Sequence, residues 1–265
     1  MIRLICVDID GTLIGRSGDV APAIWPAAAV VRNAGIRIAL CSGRPSFGKA
    51  RAIAEQLDAD GWHIFQNGAS VVHFPSGETR SHPFADAAVA GLIARSRETG
   101  RVLELYTASD YAVERDVDRA RRHAELLGVP FRPRDLLSLQ GSIIRAQWLL
   151  ALEDADRLLA EPPDGLAISV SLSPVMPDSA FANVTPPGID KGSAVRRLAE
   201  VYGLPLEQVM MVGDSANDLP ALRIVGAAVA MGNGEPAVRA VAGHVVSDVE
   251  HDGVVDAFRL AAALL

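Results

Sequence analysis

The chain has 265 residues, of which 49% are hydrophobic, and its 25 Lys and Arg against 32 Asp and Glu give a formal net charge of −7. This length predicts one large or two smaller domains. The acidic balance, with no Lys/Arg-rich tract, argues against nucleic-acid binding. No apolar run reaches the ~18 residues of a membrane helix, and the one that ends at Asp8 is too short for a signal peptide, so we expect a cytoplasmic protein with no membrane partner.

The first predicted strand, Leu4–Val7, runs directly into Asp8, and Asp10 and Gly11 follow. A short apolar run of this kind is typical of a strand buried on both faces of a parallel sheet, and such sheets bind ligands at their carboxyl edge. Two crowded carboxylates repel unless a cation lies between them or one keeps its proton. The pair therefore indicates either a divalent-metal site or a general acid. On these residues alone, a plain loop in which Asp8 caps a turn is the alternative.

Two more strands of this kind follow, each after a predicted helix. The helices are Ala23–Asn33 and Ser46–Leu57. The strand Ile36–Cys41 ends in a polar turn whose hydroxyl and backbone N–H groups suit an oxyanion. The residues of this turn are Ser42, Gly43 and Arg44. The strand Trp62–Gln66 ends at Asn67. Strands that alternate with helices predict an α/β fold with a doubly wound, mostly parallel sheet.

From residue 83 to residue 183 the pattern changes to runs of period two between helical stretches. This change predicts an inserted α+β domain, with residues 1–82 and 184–265 forming the core domain. The helical stretches are Asp86–Arg97, Asp116–Leu127 and Glu153–Leu159. The strands place polar side chains on one face, and these are Glu104, Tyr106, Arg145, Gln147, Ser169, Ser171 and Asn183. We expect the apolar faces to pack under the helices of the insert. We expect the polar face to be open, too polar to be buried, and to close over the crevice as a cap that contacts the substrate; an ordinary solvated face is the alternative.

The α/β pattern resumes after the insert. Lys191 stands at the start of a predicted helix, Ser193–Tyr202, and the apolar strand Val209–Val212 follows. That strand ends in Gly213–Asp218, the densest polar cluster of the chain, which contains Asp214, Asn217 and Asp218. Strand ends of one parallel sheet share an edge, so these residues should meet Asp8, Asp10 and Ser42 there. Together they indicate a Mg²⁺ site flanked by an oxyanion site.

Four ordered motifs resemble those of the haloacid dehalogenase superfamily of phosphatases: Asp8–Thr12, Ser42, Lys191 and Gly213–Asp218. The long insert, with Asn67-Gly68-Ala69 and Asp190-Lys191-Gly192, resembles the Cof-type branch of sugar-phosphate and related phosphatases. The resemblance implies Mg²⁺-dependent hydrolysis of a small phosphorylated metabolite through an aspartyl-phosphate on Asp8. Asp10 would protonate the leaving alcohol, so we expect its surroundings to raise its pKa.

The resemblance also implies the ligand sets. The metal would be bound by Asp8, the backbone carbonyl of Asp10 and Asp214, with Asp218 supporting it directly or indirectly. The phosphoryl group would be bound at Asp8, Ser42, Gly43, Lys191 and Asn217. Candidate substrate contacts are Arg44, Asn67, Arg145 and Asn183. Two alternatives stay open. Asp218 could simply cap the helix after it, and Arg44 could pair with a carboxylate without contacting the substrate.

Two other functions compete with a phosphatase. A phosphomutase, such as the phosphomannomutases that resemble this layout, would use the same aspartyl-phosphate. A non-catalytic phosphate-binding module could share the sheet, but no G-x-G-x-x-G or G-x-x-x-x-G-K-[ST] run follows the first strand. The sequence leaves the oligomeric state open.

Overall fold

The computed structural model describes residues 1–155 and 166–264, and these contain thirteen strands and eight α-helices. The strands are β1 (Leu4–Val7), β2 (Arg37–Leu40), β3 (Trp62–Phe65), β4 (Ser70–His73), β5 (Glu78–Ser81), β6 (Val102–Tyr106), β7 (Tyr111–Val113), β8 (Arg145–Ala151), β9 (Ala167–Ser171), β10 (Ser179–Thr185), β11 (Val209–Gly213), β12 (Ala227–Ala230) and β13 (His244–Val245). The helices are α1 (Ile24–Asn33), α2 (Lys49–Asp58), α3 (Asp86–Thr99), α4 (Asp118–Leu127), α5 (Lys191–Val201), α6 (Leu219–Leu222), α7 (Pro236–Val241) and α8 (Gly253–Ala263).

Five parallel strands form the central sheet in the order β13-β12-β11-β1-β2. Successive side chains of β1 enter two different clusters, because neighbouring residues of a strand point to opposite faces. Ile5 packs with α1 and α8, whereas Leu4 packs with α5 on the other face. The predicted doubly wound α/β fold is confirmed, and the carboxyl ends of β1, β2 and β11 lie at one edge. A single parallel bridge between Cys41 and Ile64 extends this layer to β3.

The insert contains a separate antiparallel sheet in the order β7-β6-β8-β10-β9. One face packs against α3 through an apolar cluster that includes Leu92 and Trp148, as expected. The other face is not open: α4 packs on it, and Leu127 joins Phe181 in a second apolar cluster. The expectation of a face too polar to be buried is therefore wrong. Its charged side chains are buried with hydrogen bonds to other polar side chains of the same face, as described below.

Helix ends differ from the prediction where local bonding decides. The helix α2 begins at Lys49 rather than Ser46, since Gly48 has a φ of +65°. The helix α5 begins two residues early, at Lys191, because the Asp190 side chain accepts from the Ser193 N–H at its start. The predicted helix Glu153–Leu159 lies largely outside the described residues.

Two predictions stay open at the level of the fold. The strand β10 extends to Thr185, two residues past the expected boundary at 183, and the division into two domains stays a prediction. Within the described ranges, none of the helices is long and apolar enough to cross a membrane. The cytoplasmic location stays a prediction.

Candidate active site

The turn after β1 brings the first two aspartates beside the end of β11. The turn depends on Gly11, which has a φ of +82° and whose added Cβ would lie 2.1 Å from Asp214 Oδ2. The amide of Asn233 donates to the Gly11 carbonyl at 2.8 Å and holds the turn. A glycine is thus required both for the backbone conformation and for the approach of Asp214.

Three carboxylates meet at this edge: oxygens of Asp8, Asp214 and Asp218 lie within 4.8 Å of one another. The buried Lys191 Nζ donates to Asp8 Oδ1 at 2.7 Å and to Asp218 Oδ1 at 2.6 Å. Asp214 accepts a hydrogen bond from the Thr12 hydroxyl at 3.1 Å. One ammonium is therefore shared by two of the three carboxylates, and the third, Asp214, lacks a cationic partner among the described residues.

The electrostatics of the cluster follow from burial and repulsion. Burial raises the pKa of Asp8 to about 7, with Asp218 adding to the rise and Lys191 opposing it. Burial, Asp8 and Asp218 likewise raise the pKa of Asp214 well above its ordinary value. Burial would lower the pKa of Lys191, but Asp218 and Asp8 outweigh it and raise that pKa. A divalent cation fits this site, because it would relieve the repulsion and Mg²⁺ prefers oxygen ligands.

The side chain of Asp218 holds the loop that carries Asp214. Its Oδ2 accepts from the backbone N–H groups of Asp214 at 3.0 Å and Ser215 at 3.1 Å. It makes no side-chain cap bond to α6, so the capping alternative is wrong. An added Cβ on Gly213 would lie 2.4 Å from Asp218 Oδ2, which explains the glycine at this position.

The polar turns after β2, β3 and β11 are bonded to one another. The backbone N–H of Asn67 donates to the Ser42 carbonyl at 3.0 Å, and Asn217 Nδ2 donates to Asn67 Oδ1 at 3.1 Å. The Ser42 hydroxyl accepts from the backbone N–H of Arg44 at 3.1 Å. An added Cβ on Gly43 would lie 3.2 Å from the Asn67 amide. The structure therefore brings all these predicted residues to one edge.

Arg44 pairs with Asp10. Its Nη2 and Nε donate to the two Asp10 oxygens at 2.7 and 2.9 Å, and its Nη1 donates to the Leu126 carbonyl at 3.0 Å. The Ser173 hydroxyl also donates to Asp10, at 3.1 Å. Burial alone would raise the pKa of Asp10, but Arg44 and Ser173 outweigh it and lower that pKa. The expectation of a raised pKa is wrong for this arrangement, because the guanidinium selected as a substrate contact is bonded to the acid instead.

On the polar face of the insert, Glu104 is the central acceptor. It is fully buried and accepts from the Tyr106 hydroxyl, from His123 Nδ1 at 3.0 Å and from Gln147 Nε2 at 3.4 Å. Arg145 is 2% exposed, and its Nη1 donates to Gln147 Oε1 at 2.7 Å and to Asn183 Oδ1 at 2.8 Å. These contacts compensate the burial of the polar groups, which sequence periodicity could not show.

A cavity of about 40 Å³ lies between this face and the carboxylate edge. Its core lining includes Asp8, Asp10, Gly43, Arg44, Ser215 and Asn217. Its lining from the insert includes His123, Arg145, Gln147, Ser171, Ser173 and Asn183. Ser42, Asn67, Lys191, Asp214 and Asp218 are not among the lining residues. Part of the predicted core group, including Asp8 and Asp10, therefore lines the same small space as Arg145 and Asn183 of the insert.

Three residues of the site were missed from the sequence. His123 shares the buried side of α4 with Ala120 and Ala124. The available signal in the sequence was therefore a single histidine on an apolar helix face. Asn233 and Ser173 carry no sequence signal, since each lies in a loop and reaches its partner only through the fold.

Comparisons with known proteins support one assignment. The family model described as haloacid dehalogenase-like hydrolase matches residues 5–258. A putative phosphatase of Bacillus subtilis, YxeH, is 26% identical over 264 residues, 97% of each chain. An HMP-PP phosphatase of Cronobacter sakazakii is 25% identical, over 92% of this chain and 89% of its own.

Solved structures resemble the whole chain. A haloacid dehalogenase-like hydrolase from Bacteroides thetaiotaomicron superposes with a TM-score of 0.81 at 25% identity, covering 98% of this chain and 99% of its own. The subclass IIB sugar phosphatase BT4131 superposes with a TM-score of 0.84 at 22% identity, with the same coverage, and shows the fold.

Proposed function

The chain belongs to the haloacid dehalogenase-like hydrolase family and is a phosphatase, and we propose that it hydrolyses small phosphomonoesters, such as sugar phosphates, in a Mg²⁺-dependent reaction through an aspartyl-phosphate. The observation that carries this proposal is the cluster of three carboxylates with a single lysine, in which Asp8 lines the same cavity as Asp10.

Asp8 is the nucleophile of the proposed reaction. It must be ionised to attack phosphorus, and Lys191 at 2.7 Å favours the ionised form against the effect of burial. Mg²⁺, held by Asp8, Asp214 and the backbone carbonyl of Asp10, would supply the charge that neutralises the carboxylates and the phosphoryl oxygens. Asp218 acts indirectly, because its oxygens already bond to Lys191 and to the backbone of Asp214.

The phosphoryl oxygens are bound by the turns that surround Asp8. Lys191, the Ser42 hydroxyl and the backbone N–H of Gly43 supply donors at this edge, and preorganised donors stabilise charge that develops in the transition state. Asn217 would contribute its own side chain. Asn67 positions Asn217 through their 3.1 Å hydrogen bond, rather than touching the substrate.

Asp10 protonates the leaving alcohol and then activates water. It can do so only after Arg44 releases it, since both Asp10 oxygens are bonded to that guanidinium. Leu126 and Ser173 belong to the insert, so movement of the insert as a cap would loosen the contacts that hold this pair. The same movement would admit substrate, because about 40 Å³ is far below the roughly 300 Å³ or more of a small-molecule site.

The substrate class follows from the polar cavity wall on the insert. Arg145 lines that wall, and its Nε and Nη2 donors, which have no partner among the described residues, would be left unpaired against a hydrocarbon leaving group. A polyhydroxyl leaving group satisfies them. The sugar phosphatase among the structural neighbours and the phosphatases among the relatives agree with a small phosphorylated metabolite.

The test is phosphate release by the purified protein from a panel of phosphomonoesters, with Mg²⁺ and with excess EDTA. We expect inorganic phosphate to be released only with the metal. Conversion of a hexose phosphate to its isomer without phosphate release would favour a phosphomutase instead. Full activity in EDTA would refute the metal requirement.

A further inference from the structure

Arg145 has hydrogen-bond donors that no described residue uses. Its Nη1 makes both of its hydrogen bonds, to Gln147 and Asn183, whereas its buried Nε and Nη2 have no partner. The guanidinium stacks on Tyr106, with Cζ 4.0 Å from the ring centroid, which fixes its plane. A rigid fork with unused donors therefore lies at the cavity wall opposite Asp8.

The charge of Arg145 is also uncompensated. No described carboxylate lies within ion-pair distance of it, and both partners of Nη1 are neutral amide oxygens. Glu104 attracts it, but the oxygens of Glu104 are engaged by Tyr106, His123 and Gln147. Burial lowers the pKa of Arg145 in spite of that attraction, so the buried charge is not balanced.

The other cations of the site differ from Arg145 in this respect. Arg44 uses Nε, Nη1 and Nη2, with Asp10 and Leu126 as its partners, and Lys191 is shared by Asp8 and Asp218. Among the described cavity-lining cations, only Arg145 has both unused donors and no acidic partner. A hydroxyl could occupy a donor, but only an anion would also neutralise the charge.

Building on the proposed function, we propose that the leaving group of the substrate carries a second anionic group, a carboxylate or a second phosphate, which binds to the Nε and Nη2 edge of Arg145. That edge matches the two oxygens of either group in a bidentate pair. The phosphoryl group that is transferred lies at Asp8 at the same time. The insert thus selects phosphomonoesters whose leaving group is anionic over sugar phosphates whose leaving group is uncharged.

The test compares kcat/KM within two substrate pairs that differ by one anionic group. Glycerol 3-phosphate with 3-phosphoglycerate tests a carboxylate, and glucose 6-phosphate with glucose 1,6-bisphosphate tests a phosphate. We expect the anionic member of at least one pair to be preferred at least tenfold, and Arg145→Gln to reduce that preference at least tenfold. Arg145→Lys should retain part of it, since the charge stays and the fork is lost.

Arg97→Gln is the matched control, because it removes an exposed guanidinium of the insert that pairs with Glu114 away from the cavity. The inference is overturned if, in both pairs, kcat/KM is as high for the compound without the second anionic group as for the compound with it. It is also overturned if Arg145→Gln, or Arg145→Lys should the first variant not fold, lowers both members equally. Absence of phosphate release from all four compounds and from p-nitrophenyl phosphate, with Mg²⁺ present, would instead refute the proposed function.

Discussion

The carboxylate cluster of the core and the polar face of the insert both bury charge, but with opposite imbalances. In the core, Asp8 and Asp218 share one lysine and Asp214 has no cationic partner among the described residues, so negative charge is in excess. In the insert, Arg145 has no acidic partner in the part of the chain that the structure describes. A buried charge without a partner is costly, so each imbalance indicates a ligand of the opposite sign. The core is suited to a divalent cation and the insert to an anion.

The two regions also build their sites differently. The core places its polar groups in turns at strand ends, where backbone N–H groups can fix them, as the bonds from Asp214 and Ser215 to Asp218 show. The insert places them in mid-strand, where other side chains satisfy most of them, as Glu104 and Gln147 do. The core site should therefore tolerate loss of charge without unfolding, whereas the insert should not.

Replacing the nucleophile tests the core side with the largest expected effect. Asp8→Asn should reduce kcat by at least about a thousandfold, since an amide cannot attack phosphorus. The fold should persist, because the change removes a charge from a repulsive cluster. Phosphate release and circular dichroism check both statements, with Asp60→Asn, an exposed aspartate, as the control. Activity above a few per cent in a folded variant would exclude Asp8 as the nucleophile.

Weakening the metal site should have the next largest effect. Asp214→Asn should raise the Mg²⁺ concentration needed for half-maximal activity by at least about tenfold, because it weakens an oxygen ligand. Mg²⁺ should also raise the melting temperature of the wild type more than that of the variant, as binding stabilises the folded state. An unchanged Mg²⁺ requirement would show that Asp214 is not a ligand.

Breaking the network of the insert should cost stability. Glu104→Gln should lower the free energy of unfolding by about 3 kcal/mol, because an amide would meet the donors of His123 and Gln147. Arg145 would also lose the carboxylate that attracts it. Urea unfolding measures the change, and Glu98→Gln on the exposed side of α3 should leave the midpoint in place. Equal midpoints for both variants would contradict the contrast drawn between insert and core.

Replacing Arg44, which bonds to Asp10 in the core and to the Leu126 carbonyl in the insert, should have the smallest effect. Arg44→Met should raise the pKa of Asp10, since Arg44 is the strongest influence that lowers it. The general acid would then keep its proton to higher pH, and the alkaline limb of the kcat/KM profile, which reports the free enzyme with the pair intact, should move to higher pH. Arg51→Met, at an exposed arginine that pairs with Glu55 within α2, is the control. A limb that stays in place would mean that Arg44 does not set the ionisation of Asp10 in the free enzyme.

The fold class, now confirmed, and the approximate location of the core site residues could be predicted from the amino-acid sequence alone. A parallel sheet brings every strand end to one edge, so apolar runs that end in polar residues were sufficient to group Asp8, Ser42 and Asp214. Periodicity likewise placed Glu104, Arg145 and Asn183 on one face of the insert, because alternation along a strand is a local property.

Which of these groups bond to one another depends on long-range contacts of the folded chain. The Arg44–Asp10 pair joins two strand ends, the His123–Glu104 bond needs α4 to lie on the polar face, and Ser173 reaches Asp10 from 163 residues away. These contacts depend on how the insert docks on the core, and the chain has no local pattern that encodes docking. Hence the sequence could predict that Asp10 is an acid of the site, whereas its lowered pKa and the unused donors of Arg145 depend on neighbours that only the folded chain provides.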